Sequence, residues 1–337
     1  MYLTQEKVAV MGAAGAIGSN IVQDLLSTKT ACRIAMYDPF AQGLEGAAEE
    51  IYHCAYPGAE VSWTADVKEA LTGADYVISS GGAPRKEGMT REDLLKGNCE
   101  IARGLGEDIK RYAPNAKFVV VIFNPADITG LTTLVYSGLA PGRVSTLAAL
   151  DSTRLQTKLA QHFGVPQERV TGCRTYGGHG EQMAVFEDGI VVDGVPFAEI
   201  MAGKQVNGKS LSAEEWQEVQ THIRQGGARI IKLRGRSSYQ SPSHQSVEML
   251  AAFIRGGGYP WPCGAYIPDG EFGHVMMAAD VEFTPEGLKP AIPKGSEKDL
   301  EALKVSYGHI VKLRDEVIAA GSLPPVSEWP RFNPHLK

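Results

Sequence analysis

The feature that most constrains the fold is a continuous apolar run at residues 117–123, KFVVVIF. A strand that is apolar on both faces is typical of a parallel sheet covered on both sides. Four further short runs rich in β-branched residues precede it, separated by longer amphipathic stretches, at residues 7–11, 33–37, 61–64 and 76–79. Strands that alternate with helices in this way form βαβ units. The sequence therefore predicts an α/β fold with a Rossmann-type, doubly wound parallel sheet.

The pattern changes near residue 145, where glycine-rich segments and short hairpin-like runs replace the regular alternation. Helical periodicity returns later, at residues 212–226, 243–254 and 296–321. The length of the chain suits two domains. We predict a sheet domain at residues 1–147, followed by an α+β domain at residues 148–337.

Composition argues against several classes of function. The net charge of −6 over 337 residues disfavours nucleic-acid binding, which needs a clustered basic surface. No apolar run reaches the length of about 18 residues that would indicate a membrane span, so no membrane partner is expected. The five cysteines form no CxxC pair, and we predict no metal site. The N-terminus lacks the pattern of a signal or transit peptide, so we expect a cytoplasmic protein.

A glycine loop follows the first predicted strand and opens the first predicted helix. Its sequence, GAAGAIG at residues 12–18, is a variant of the GxGxxG pattern of dinucleotide-binding folds. The first glycine permits a tight turn, the second lets the backbone approach a pyrophosphate, and the third allows close packing of helix on strand. The predicted cofactor contacts in this loop are Gly12, Ala14, Gly15, Ala16, Ile17 and Gly18.

Asp38 lies 20 residues after Gly18, at the end of the second predicted strand. A carboxylate at this place bonds the ribose 2′-hydroxyl of a dinucleotide and repels a 2′-phosphate, so we predict NAD rather than NADP as the cofactor. Two alternatives stay open. Asp38 could cap the turn at Pro39, and the glycine loop could be a plain turn in a domain that binds no nucleotide.

Polar residues in three later segments could carry chemistry. Asn124 ends the apolar run 117–123, although an Asn-Pro turn is also common without any function. Asp151 and Arg154 are three residues apart, so on a helix they share one face. His179 stands in the glycine-rich stretch YGGHGEQM, although a histidine taken at random is more often a surface or core residue. A carboxylate beside an imidazole makes a usable acid/base, and Asp151 and His179 are candidates for such a pair.

Arg85 and Arg91 bracket the segment RKEGMTR. A guanidinium binds a carboxylate through two parallel hydrogen bonds, which lysine does less well. The pair predicts a loop that closes on an anion. The alternative is a charged loop that faces solvent.

Taken in order over residues 6–255, these motifs resemble the lactate/malate dehydrogenase family, and the segment RKEGMTR is similar to that of its malate-specific members. The resemblance implies reversible, NAD-dependent oxidation of (S)-malate to oxaloacetate by hydride transfer. It implies that His179 is the acid/base, that Asp151 orients it, and that Arg154 holds the C1 carboxylate of the substrate. The further implied contacts are Arg85 on the second carboxylate with Arg91 assisting, Asn124 on substrate and cofactor, Ser237 or Ser238 near the substrate, and Asn98 on the cofactor.

The same resemblance implies a homo-oligomer that acts on a small dicarboxylate. Glu87 departs from the family, whose loops often carry proline at that position. Two other functions stay open. One is a dehydrogenase of the same family for lactate or another 2-hydroxy acid, and the other is a non-catalytic NAD-binding sensor, which would need the glycine loop but not Arg154 and His179.

Overall fold

A six-stranded parallel sheet forms the first half of the molecule. The computed structural model describes residues 1–83 and 91–337, without the side chains of Arg91 and Glu92. The strands run in the order β3-β2-β1-β4-β5-β6, and every neighbouring pair is parallel. They are β1 Thr4–Met11, β2 Ala31–Tyr37, β3 Glu60–Thr64, β4 Tyr76–Ser79, β5 Phe118–Val121 and β6 Val144–Leu147. This order confirms the predicted Rossmann-type fold.

The apolar run behaves as its sequence predicts. All four residues of β5 are buried. Val119 and Val121 belong to one hydrophobic core, whereas Phe118 and Val120 belong to the core on the other side of the sheet. Successive side chains of a strand point to opposite faces, so this strand needs apolar residues at every position.

Helices cover both faces of the sheet and connect its strands. Those of the first half are α1 Ala16–Ser27, α2 Ala41–His53, α3 Val67–Leu71, α4 Arg91–Tyr112 and α5 Ala126–Ser137. Every residue of α5 is buried. Because the strands are parallel, their carboxyl ends lie at one edge, and the loops that follow β1, β2, β4 and β5 meet there.

The second half begins with α6 Ala149–Phe163 and, among the described residues, adds two small sheets and further helices. In one of the sheets β10 Val191–Val192 lies between β7 Val170–Thr171 and β11 Val195–Pro196, and in the other β8 Arg174–Tyr176 pairs with β9 Ala184–Phe186. The later helices are α7 Phe197–Met201, α8 Ala213–Arg224, α9 Gly226–Arg234, α10 Gln240–Arg255, α11 Glu297–Ala319 and α12 Trp329–Phe332. The three predicted helices correspond to α8, α10 and α11.

Three strands from the second half extend the main sheet to nine strands. They are β12 Cys263–Ile267, β13 Val275–Thr284 and β14 Gly287–Ala291. Strand β12 runs antiparallel to β6, with Gly264 opposite Thr146. Residues from both sides of position 147 therefore share one sheet, and the division into domains at 147/148 stays a prediction. Among the described residues, no helix combines the length and apolar character needed to span a bilayer.

Candidate active site

The glycine loop holds β1, β4 and α1 close together. Gly12 has a φ of +84°, and a Cβ placed on it would lie 2.8 Å from the Cα of Gly81 in the loop after β4. A Cβ on Gly18 would lie 2.1 Å from the carbonyl oxygen of Gly12. Side chains are thus excluded at both positions, as the sequence pattern predicts for the turn and for the helix–strand contact.

The start of α1 suits an anionic ligand. Gly15 caps the helix without a side-chain hydrogen bond, and the first turn contains no acidic residue. The amide groups of such a turn have no partners within the helix, and they attract phosphate groups. The described loop therefore fits the pyrophosphate of a dinucleotide.

Asp38 lies beside this loop at the end of β2. Its Oδ2 accepts a hydrogen bond from the Ala14 amide at 3.2 Å, and its Oδ1 accepts one from the Phe40 amide at 3.0 Å. The second bond is the turn cap that the sequence left open as an alternative. The carboxylate is held next to the glycine loop, where it can also accept from a ribose hydroxyl.

The centre of the site is Asp151 on α6, which is 3% exposed. Its Oδ2 lies 2.6 Å from Nδ1 of His179, and its Oδ1 lies 2.7 Å from Nη1 of Arg154. Helix α6 brings Asp151 and Arg154 to one face through their spacing of three residues. His179 comes from the glycine-rich turn after β8, so the structure brings together the Asp151–Arg154 and Asp151–His179 pairs that the sequence suggests.

Neighbouring charges shift the pKa values of Asp151 and His179. Burial alone would raise the pKa of Asp151, but the neighbouring His179 and Arg154 hold that pKa below its usual range. The Asp151 carboxylate raises the pKa of His179, against an opposing effect of burial. A carboxylate can only accept, so Nδ1 of His179 is the donor in their hydrogen bond. Nε2 is then the atom left to exchange a proton with a ligand.

Two residues that the sequence analysis missed hold the backbone of this turn. The amide of His179 donates to Oδ2 of Asp127 on α5, and the amide of Gly178 donates to Oγ of Ser306 on α11, both at 2.9 Å. Burial raises the pKa of Asp127 to about 6. Asp127 lies three residues after the predicted site residue Asn124, and this short spacing is a signal for it in the sequence. Ser306 carries no such signal.

A cavity of about 1040 Å³ opens beside this group. His179 and Asn124 both line it, together with residues of α4 and α11. Asn124 stands at the carboxyl end of β5, as predicted, and the Asn124–Pro125 peptide bond is cis. The side chain of His179 remains 31% exposed, so a ligand in the cavity can reach its ring.

Asn98 has partners within the protein. Its Nδ2 donates to the carbonyl oxygen of Asn124 at 2.6 Å, and its Oδ1 accepts from the Ala83 amide at 2.9 Å. The residue, which is 3% exposed, thereby ties the loop after β4 to the loop after β5. Its predicted contact with the cofactor stays a prediction.

Arg154 and Ser238 are the remaining predicted residues whose side chains the structure describes. Gly226 leaves room for Arg154, because a Cβ there would lie 2.8 Å from Cδ of the arginine. Ser238 stands before α10, and its Oγ lies 2.9 Å from that of Ser241. Arg85 lies outside the residues that the structure describes. Arg91 is the first residue of α4, and the structure does not describe its side chain. Within residues 1–83 and 91–337, no cluster of three histidine, cysteine or acidic residues could hold a metal ion.

Comparisons with known proteins cover both halves of the chain. Residues 6–146 match the model described as lactate/malate dehydrogenase, NAD binding domain. Residues 148–289 match the model of the lactate/malate dehydrogenase alpha/beta C-terminal domain. The first description names NAD and confirms the predicted cofactor.

Individual relatives extend over nearly the whole chain. A malate dehydrogenase from Francisella tularensis subsp. novicida is 31% identical over 320 residues, which cover 92% of this chain and 97% of the relative. The apo malate dehydrogenase from Picrophilus torridus superposes with a TM-score of 0.80 at 30% identity, covering 94% of this chain and 100% of the other. The lactate dehydrogenase from Cryptosporidium parvum, complexed with lactic acid and nicotinamide adenine dinucleotide, gives a TM-score of 0.82 at 25% identity, with 93% and 98% covered.

The Asp151–His179 contact makes a prediction that needs no assay of activity. In Asp151→Asn, the pKa of His179 should fall, because the carboxylate that chiefly raises it has been removed. NMR titration of the His179 ring measures the change. Asp193→Asn removes an exposed carboxylate paired with Arg169 and serves as the matched control. An unchanged titration of His179 in Asp151→Asn would show that this carboxylate does not set its protonation.

Proposed function

The chain belongs to the lactate/malate dehydrogenase family, and we propose that it catalyses the reversible, NAD-dependent oxidation of (S)-malate to oxaloacetate. The observation that carries the proposal is the position of Asp151 between His179 and Arg154, beside a cavity that Asn124 also lines. One buried carboxylate thus holds both an acid/base that lines the cavity and a guanidinium next to it.

Each of these groups has a task in the reaction. Arg154 holds the C1 carboxylate of the substrate, which places C2 and its hydroxyl near His179. Nε2 of His179 takes the hydroxyl proton during oxidation and returns a proton to the carbonyl oxygen during reduction. Asp151 remains ionised and stabilises the imidazolium. Bound NAD supplies the nicotinamide that accepts the hydride from C2.

The raised pKa of His179 matters most for the reduction of oxaloacetate. That direction requires a protonated imidazole, and the neighbouring carboxylate keeps the proton on the ring to a higher pH than an isolated histidine would. Reduction should therefore lose rate as the pH rises through the pKa of His179, while oxidation should gain.

The choice of malate over lactate rests on sequence and on relatives. Arg85 is the residue assigned to the second carboxylate, with Arg91 assisting. A monocarboxylate would leave Arg85 without a partner in a closed site, at a cost in free energy. The named relatives from Francisella and Picrophilus are malate dehydrogenases, which supports this choice. Lactate is the runner-up, because a lactate dehydrogenase has a similar fold.

A non-catalytic NAD-binding sensor has less support. The glycine loop and Asp38 would satisfy such a protein, but it would have no use for a buried Asp151 with both partners engaged. A homo-oligomer is part of the proposal on the strength of family membership, and the cytoplasmic location is kept as the sequence predicts it.

Removal of the acid/base tests the proposed chemistry. His179→Asn should lower kcat for NADH oxidation with oxaloacetate by about a hundredfold or more, while NADH binding measured by fluorescence stays within about twofold. His162→Asn is the control, since His162 bonds the Ser210 carbonyl at an exposed place. Full turnover in His179→Asn would mean that another group carries the proton.

Substitution of Arg85 tests the substrate. Arg85→Gln should lower kcat/KM for oxaloacetate by about a hundredfold, the effect of two charge-assisted hydrogen bonds of about 1.5 kcal/mol each. Activity on pyruvate should be retained or rise. Arg103→Gln removes an exposed guanidinium of α4, paired with Glu107, and is the matched control. Equal losses on oxaloacetate and pyruvate would contradict the assignment of Arg85.

A further inference from the structure

Helix α11 runs past the back of the turn that carries His179, and we propose that Ser306 on this helix is a positioning residue for the acid/base. The inference rests on the proposed function of His179 and goes beyond it. Ser306 lies outside residues 148–289, the part of the second half that matches the family model.

Two successive amides of the turn are fixed by side chains of two different helices. The Gly178 amide donates to the Ser306 hydroxyl oxygen and the His179 amide donates to Asp127, each at 2.9 Å. Ser306 is completely buried, and Asp127 is 7% exposed. A buried amide without an acceptor is costly, so these two acceptors restrict where the backbone of His179 can lie.

The packing of α11 leaves the turn little freedom. A Cβ on Gly177, whose φ is +78°, would lie 2.3 Å from Oγ of Ser306. A Cβ on Gly178 would lie 3.0 Å from Cγ1 of Ile310, one helical turn further along α11. The two glycines before His179 therefore allow the helix and the turn to come into direct contact.

Other residues of α11, a few positions after Ser306, line the cavity. His309, Lys312 and Leu313 of α11 line the space into which His179 is exposed. One helix thus forms a wall of the binding space and holds the turn that carries the acid/base. The hydrogen bond from Ser306 is to the main chain of Gly178, the residue before His179, so Ser306 acts on catalysis without touching the substrate.

The test compares two buried serines. Ser306→Ala removes the acceptor and should lower kcat for oxaloacetate reduction about tenfold, since small misplacements of a catalytic group have effects of this order or larger. KM for oxaloacetate should stay within about twofold. Ser246→Ala is the matched control: Ser246 is equally buried, and its hydroxyl donates to the Pro242 carbonyl within α10. This control should leave kcat unchanged.

A second readout separates positioning from mere stability. NMR titration of His179 in Ser306→Ala should show a lower pKa than in the wild type, because a displaced ring contacts Asp151 less closely. Unchanged kcat and an unchanged titration, with only the melting temperature lowered, would overturn the proposal. Absence of turnover in the wild type would refute the proposed function instead, and the titration would still report on Ser306.

A further variant keeps the hydroxyl of Ser306, so its result does not depend on whether Ser306→Ala folds. Ile310→Val removes one methyl group at the Gly178 contact and should leave kcat within about twofold of the wild type. A tenfold loss in Ile310→Val would mean that packing, rather than the hydroxyl of Ser306, positions the turn, and would also overturn the proposal.

Discussion

The buried carboxylate of Asp151 is the interaction on which the rest of the site depends. An ionised group away from water is costly unless it is paired and hydrogen-bonded. Here the imidazole of His179 and the guanidinium of Arg154 provide both, with distances of 2.6 and 2.7 Å. Loss of either partner would leave the charge poorly compensated. The same pairing that keeps Asp151 ionised also leaves Nε2 of His179 free of the Asp151 contact, in a ring that lines the cavity.

The fold supplies these groups from separate elements that meet at one edge of the sheet. The glycine loop and Asp38 follow β1 and β2, Asn124 follows β5, and Asp151 follows β6 within the first turn of α6. Parallel strands make this convergence unavoidable, because their carboxyl ends share an edge. The turn that bears His179 comes from the second half and is held there by main-chain contacts with α5 and α11.

The sequence predicted those features of the structure that depend on interactions between residues close together in the chain. The alternation of strands and helices, the glycine loop and the shared face of Asp151 and Arg154 each depend on short spacings, and the structure agrees with them. The sequence patterns do not predict strand β13, Val275–Thr284. One half of this strand is apolar and buried, and the other half is more polar and pairs with β14. Ser306 contacts a residue that is far away in the sequence, and Asn98 joins two loops. No periodic pattern in the sequence predicts either contact. The predicted roles of Arg85 and Ser238 rest on resemblance alone.

The central claim is that the Asp151–His179–Arg154 group reduces a 2-keto dicarboxylate. The most direct measurement is the steady-state oxidation of NADH by the wild-type protein with oxaloacetate and with pyruvate, at matched concentrations. For the proposed malate dehydrogenase, kcat/KM for oxaloacetate should exceed that for pyruvate by about a hundredfold or more. A preference for pyruvate would contradict the malate assignment, and no turnover of either substrate would contradict the catalytic role of the group.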